Sequence, residues 1–158
     1  MKKGISDRVF PSDWEIEEAL SFAKQVGFDG VELNVHEKEG FLNLHTQQSE
    51  ARNLANRCSE FGLEVPSLST ILHNQYALTS SNTFERKHGE DIALKMIELA
   101  EMMGAKVIQV VPGVATPNES YDRAYELSME SLARLAPEAS AAGVTIGLEN
   151  VNNKFLPS

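Results

Sequence analysis

Gly143-Val144-Thr145-Ile146-Gly147-Leu148-Glu149-Asn150 is the stretch on which the reading of the whole chain turns. A glycine closes a helix, a short apolar run follows, and the run ends on a carboxylate. That is the pattern of a buried strand delivering Glu149 to its C-terminal end. A charge at such a place needs a partner, and in parallel α/β folds the loops beyond the strand ends form the ligand site. Working outward, the same order recurs three times: Gly27-Phe28-Asp29-Gly30-Val31-Glu32-Leu33, Gly62-Leu63-Glu64-Val65-Pro66-Ser67-Leu68 and Gly104-Ala105-Lys106-Val107-Ile108-Gln109-Val110. Each is a helix end, a glycine, then a strand, and alternation of strand and helix means a parallel sheet with right-handed crossovers.

The intervening segments supply the helices. Ser12-Asp13-Trp14-Glu15 has the spacing of a capping box, and Ile16, Ala19, Leu20, Ala23 and Val26 fall on one helical face. A second helix is expected from about Thr46, with Ala51, Leu54, Ala55, Cys58 and Phe61 inward, and a third from about Thr83 to Met103 with Ile92, Met96, Leu99 and Ala100 inward. A fourth runs from about Asn118 to Ala142, where Pro137 should kink or divide it. The strands are expected at Lys2 to Ser6, Phe28 to Val35, Leu63 to Ser69, Lys106 to Val111 and after Gly143. The run Val107-Ile108-Gln109-Val110-Val111 is apolar enough for a strand buried on both faces. His36 to His45 and Thr70 to Asn82 read as loops; a loop as long as the second tends to carry function.

Two architectures fit this order. One is the first portion of a (β/α)8 barrel, about five strands and four helices, whose full circuit takes about 250 residues. The alternative is a five-stranded doubly wound sheet, which is complete near this length but needs one more helix.

Composition narrows the partners. A net charge of −9, from 14 Lys and Arg against 23 Asp and Glu, disfavours a nucleic-acid backbone or an anionic membrane surface. One cysteine, Cys58, reads as a small core residue and leaves no disulfide within one chain. No apolar segment of signal or membrane-spanning length follows Met1, so a cytoplasmic protein is expected. No Ser-His-Asp nucleophile motif or Gly-rich phosphate loop is present.

The strand-end Glu149, the loop His73-Asn74-Gln75-Tyr76-Ala77-Leu78-Thr79-Ser80 and the segment Gly27 to Leu33 together resemble the sugar-phosphate isomerases and epimerases of the xylose-isomerase-like TIM barrels. The hexulose-6-phosphate isomerases and L-ribulose-5-phosphate 3-epimerases are the nearest in pattern. The likeness runs over nearly the whole chain but only over the N-terminal part of such an enzyme, so residues 1–158 are expected to form a partial barrel that stops after the fifth strand.

The resemblance implies an isomerase or epimerase that removes the proton beside the carbonyl of a ketose phosphate, aided by a divalent ion, manganese or zinc. That family holds its metal through a Glu after strand five and an acidic residue, a His and a second Glu from later strands. Glu149 matches the first, as metal ligand and as one of two proton-moving carboxylates; the others have no counterpart. The chain alone is therefore expected to be inactive and need bind no metal.

His73, Glu32, Gln109 and Asn150 are the candidate substrate-binding residues. The rival reading is a non-catalytic half-barrel, an assembly module that self-associates through exposed sheet edges. An abasic-site nuclease of the same superfamily needs a basic groove and more histidines than the four present.

Overall fold

The computed structural model describes residues 1–114, 119–153 and 155–156. The chain alternates as expected: β1 (Gly4–Ser6), α1 (Ile16–Gln25), β2 (Gly30–His36), β3 (Leu42–Asn43), α2 (Gln48–Glu60), β4 (Ser67–Ser69), α3 (Thr83–Met103), β5 (Val107–Val110), α4 (Tyr121–Ala141) and β6 (Thr145–Leu148). The main sheet runs β1-β2-β4-β5-β6, every pairing parallel, with β3 attached beside the end of β2. This order removes the doubly wound alternative, in which the first strand lies inside the sheet and helices cover both faces. Here successive strands step always in one direction. Right-handed crossovers then place every helix on the same face, as in a barrel wall.

Alternation along the strands divides the residues between the two faces. Val31, Leu33, Val35, Leu68, Ile108 and Val110 are buried toward the helices, where they meet Leu20, Leu54, Met96, Leu99 and Leu135 in one core. Fully burying one such side chain contributes about 1.5–3 kcal/mol, so this layer carries the fold. Glu32, Asn34, Ser67, Ser69, Gln109 and Gly147 occupy the opposite, helix-free face, paired across the ladder as Asn34 with Ser69 and Gln109 with Gly147.

Several boundaries differ from expectation for local reasons. Helix α1 is capped by Glu15, not Ser12: Glu15 and Glu18 exchange the two capping bonds, while Phe10 stacks on Trp14 at 6.0 Å and holds the preceding turn. Gln47 and Glu50 do the same for α2. The segment expected as a plain loop contains β3, which pairs Val35 with Leu42. The β5 run is buried only toward the helices; Val107 and Gln109 are half-buried. Helix α4 is a single span with Pro137 inside it, so the expected division does not occur; its expected start at Asn118 lies outside the described residues.

Two glycines shape the ends that matter. Gly104 ends α3 at φ 75° and starts the turn into β5. Gly89, inside α3, lets the preceding loop close on the helix: a Cβ there would fall 2.2 Å from the Tyr76 carbonyl oxygen. No described helix is long and apolar enough to cross a membrane.

Candidate functional site

The strand ends place their polar side chains on the helix-free face because the pleat leaves no other direction for them once the apolar set faces the helices. Glu32, half-buried in β2, accepts hydrogen bonds from Ser67 Oγ at 2.7 Å and Ser69 Oγ at 3.1 Å on the next strand. Two hydroxyl donors fix this carboxylate, and no cation pairs with it among the described residues. Beyond it, Asp7 in the turn after β1 is buried and accepts from the Asn34 backbone N–H at 3.0 Å and from its side-chain amide. Burial holds the Asp7 carboxyl above the usual carboxylate range, with the Asn34 bonds opposing it.

At the other end of the sheet, Glu149 lies directly after β6. Its backbone N–H donates to the Val110 carbonyl at 3.0 Å, extending the ladder, and its Oε2 accepts from Gln109 Nε2. Register puts it on the same face as Gly147 and Gln109. Glu149 is exposed, and so is Leu148; the strand expected to be buried is a half-covered edge strand. Its outer side has no paired neighbour among the described residues.

Glu149 and Gln109 line a recess of about 170 Å³ together with Arg8, Thr70, Asn74 and Asn152. A neighbouring recess of about 320 Å³ is bounded by Asp7, Arg8, His36 and Phe41, so Arg8 stands between the two. Asn150 is exposed, with no side-chain partner among the described residues. Arg8, Asp7 and Asn34 escaped the sequence reading; the only sign of them was that Asp7 and Arg8 follow directly on β1 and that Asn34 alternates with the apolar residues of β2.

His73 is not in this site. It is wholly buried, its Nε2 lies 3.1 Å from the Gly89 carbonyl oxygen and donates to it, and Nδ1 has no partner among the described residues. Burial pushes its pKa down to about 4. The side chain pins its loop onto α3, which corrects the expectation of substrate contact.

A hard divalent ion suits a carboxylate at a strand end in kind. Yet no group of three or more His, Cys, Asp or Glu converges among the described residues, so these alone do not make a metal site.

A parallel sheet with helices on one face and polar side chains on the other, Glu149 among them just past the end of β6, has the layout of an α/β barrel wall. The chain belongs to the xylose isomerase-like TIM barrel family, whose model matches residues 20–157. It is 29% identical over 156 residues to L-ribulose-5-phosphate 3-epimerase UlaE of Escherichia coli strain K12, a match covering 98% of this chain and 55% of that protein. Thus the chain spans about half the length of the curated relatives it matches.

In fold it is similar to a D-tagatose 3-epimerase-like protein (TM-score 0.78, 22% identity, 97% of this chain and 54% of the other). It is also similar to 3-keto-D-glucoside 4-epimerase YcjR from E. coli (TM-score 0.77, 21% identity, 97% and 57%).

Proposed function

We propose that this chain is the first part of a metal-dependent isomerase or epimerase that acts in the cytoplasm on a ketose phosphate, and that the chain alone is inactive. The observation that carries the reading is Glu149 at the end of β6, on the helix-free face beside Gln109. Proton removal beside a carbonyl needs a carboxylate within reach of that carbon. Glu149 would take the proton on one face, leaving an enediolate; a second carboxylic acid on the other face would return a proton, and the configuration inverts. A divalent ion, manganese or zinc, would supply charge stabilisation for the enediolate oxygens. In this chain Glu149 is the one residue we assign as its ligand.

The remaining residues bind and orient. Gln109 holds the Glu149 carboxylate by its amide. Glu32, fixed by Ser67 and Ser69, keeps acceptor capacity for a sugar hydroxyl, and Asn150 adds an amide at the rim. With one of two carboxylates, the chain alone completes no inversion.

Titration of isotope-labelled chain with L-ribulose 5-phosphate, followed by NMR, tests the placement. The side-chain amide of Gln109 and the backbone amides of Glu32, Ser69 and Glu149 should shift together at millimolar sugar phosphate. Shifts confined to the helix-covered side would sink the reading.

A second reading, a non-catalytic assembly module, is favoured by a separate observation: β1 and β6 each have an unpaired side among the described residues.

A further inference from the structure

Every strand of the main sheet runs the same way, so the turn that follows β1 and the Glu149 that follows β6 lie at one end of it. That turn, Asp7–Val9, is a single 3-10 turn held on both sides. On one side Asp7 is buried and accepts from the Asn34 backbone N–H at 3.0 Å and from its side-chain amide, which also donates to Ser6 Oγ at 3.2 Å. On the other, the Phe10 N–H donates to the Asp7 carbonyl at 3.1 Å, and the Phe10 ring meets Trp14 at 6.0 Å and Phe22 at 6.3 Å. Hydrogen bonds among buried groups hold their elements stiffly. Arg8 stands between the two fastenings, so its backbone is set while its side chain is exposed.

The charge at this end of the sheet is uneven. Arg8 lines both recesses there, the smaller with Glu149 and Gln109, the larger with Ser12 and His36. The carboxylates lining the two are Asp7, Glu39 and Glu149, and Arg8 is the one Lys or Arg among the described residues that do so. A phosphate monoester carries about −1.5 to −2 charges at pH 7 and is repelled by carboxylates unless a cation meets it. A guanidinium is always charged, and its planar fork of N–H groups matches two phosphate oxygens at once. The Asp7 carboxylate, next to it in the chain, turns to Asn34 of β2 instead.

We propose that Arg8 binds the phosphate of the ketose phosphate and so selects phosphorylated over free ketoses. This rests on the sugar-phosphate reading above and assigns a further part of the same site. In a 2-pentulose 5-phosphate the carbon that inverts is C3 and the phosphate hangs on C5, so the group that holds the phosphate belongs near the proton-moving carboxylate without touching it. Arg8 and Glu149 meet that condition: they line one recess, Arg8 from the turn after β1 and Glu149 from the end of β6. On its other side Arg8 opens on the recess of about 320 Å³, where Ser12 offers a hydroxyl donor to further phosphate oxygens. Binding energy gathered so far from the reacting carbon serves to orient it.

NMR titration of the isotope-labelled chain tests this, reading the Arg8 side-chain Nε–H together with the Gln109 side-chain amide and the Glu149 backbone amide. The probes are L-ribulose 5-phosphate, free L-ribulose and inorganic phosphate, each at millimolar concentration. L-Ribulose 5-phosphate should move all of these signals, inorganic phosphate should move Arg8 alone, and free L-ribulose should bind more weakly and leave Arg8 still. Arg8→Gln should weaken L-ribulose 5-phosphate by about tenfold or more, the measure of one charge-assisted pair. It should also flatten the dependence of that binding on salt, with circular dichroism unchanged and Arg8→Lys falling between the two. No response at Arg8 to either phosphate compound overturns the proposal. So does L-ribulose 5-phosphate that moves Gln109 and Glu149 but not Arg8, or that binds Arg8→Gln as tightly as the unaltered chain; in both cases the sugar reading stands. Movement of Arg8 with Gln109 and Glu149 still in every titration would instead keep a phosphate site and remove the sugar chemistry beside it.

Discussion

Strands β2 and β6 are built from the same pattern and end in different states. In β2, Leu33 is wholly buried under the helices while Glu32 on the other face is held by two serine hydroxyls; a neighbour lies on each side. In β6, Leu148 is half exposed and Glu149 has Gln109 as its one side-chain hydrogen-bond partner among the described residues. The same alternation of apolar and polar residues thus gives a finished environment in the middle of the sheet and an unfinished one at its rim. What separates the two is the neighbours, since a strand side chain draws its energy from the elements on either side of it.

The largest test of that contrast is truncation of the two leucines. Leu33→Ala should cost about 2–5 kcal/mol of unfolding free energy, because it opens a cavity among packed side chains. Leu148→Ala should stay within about 0.5 kcal/mol at protein concentrations where the chain is monomeric. Thermal or urea unfolding of both variants reads the difference, and equal losses would break the comparison.

Next in size is an effect of pH. His73 stays uncharged in the folded chain down to about pH 4 but ionises near 6.5 once unfolded. Between those values the unfolded chain binds more protons. The stability from His73 is therefore whole above about pH 7, falls as pH drops through 6.5 and levels off near 4, a loss of at most about 3 kcal/mol. Asp7, whose carboxyl burial raises, works in the opposite sense at the acid end. Urea unfolding as a function of pH should show the acid-side loss in the unaltered chain and a flatter profile in His73→Gln.

Gly89→Ala should cost about 1–3 kcal/mol, since its Cβ must push the Tyr76 carbonyl off α3 and weaken the His73 bond. Faster amide exchange across residues 72–80 would accompany it. Smallest is the pair of carboxylates. Glu32→Gln should cost about 1 kcal/mol through its serine bonds, whereas Glu149→Gln should leave the melting temperature where it was.

These differences also mark what could be read from the amino acids. The order of helix end, glycine and strand is local chemistry, and α3 and the Gly104 turn lie where the spacing of Ile92, Met96, Leu99 and Ala100 puts them. Strand β3 has two residues and exists only through its pairing with Val35 and His36, so no pattern of its own announces it. The cap at Glu15 rather than Ser12 comes with a turn held by an aromatic cluster, in which Phe22 meets Phe10 and Trp14 from twelve and eight residues further along the sequence.

The site divides the same way. Glu32, Gln109 and Glu149 share a face because strand alternation puts them there, and alternation is visible in sequence. The inward turn of His73 is not, because it is set by a carbonyl on a helix that the loop meets only through the absence of a side chain at Gly89. The exposure of β6 was equally hidden: an apolar run specifies which face a strand would bury, not whether anything covers it.

The central claim is that Glu149 is a proton-moving carboxylate of a sugar-phosphate barrel. Its most direct test is exchange of the proton beside the carbonyl of L-ribulose 5-phosphate in deuterated water. The protein to use is barrel-length, with residues 1–158 as its first half joined to the second half of the E. coli epimerase, supplied with manganese and shown by cooperative melting to be folded. We predict exchange in that protein and a loss of at least 100-fold in Glu149→Gln at an unchanged melting temperature. Exchange that persists undiminished in Glu149→Gln would contradict the account.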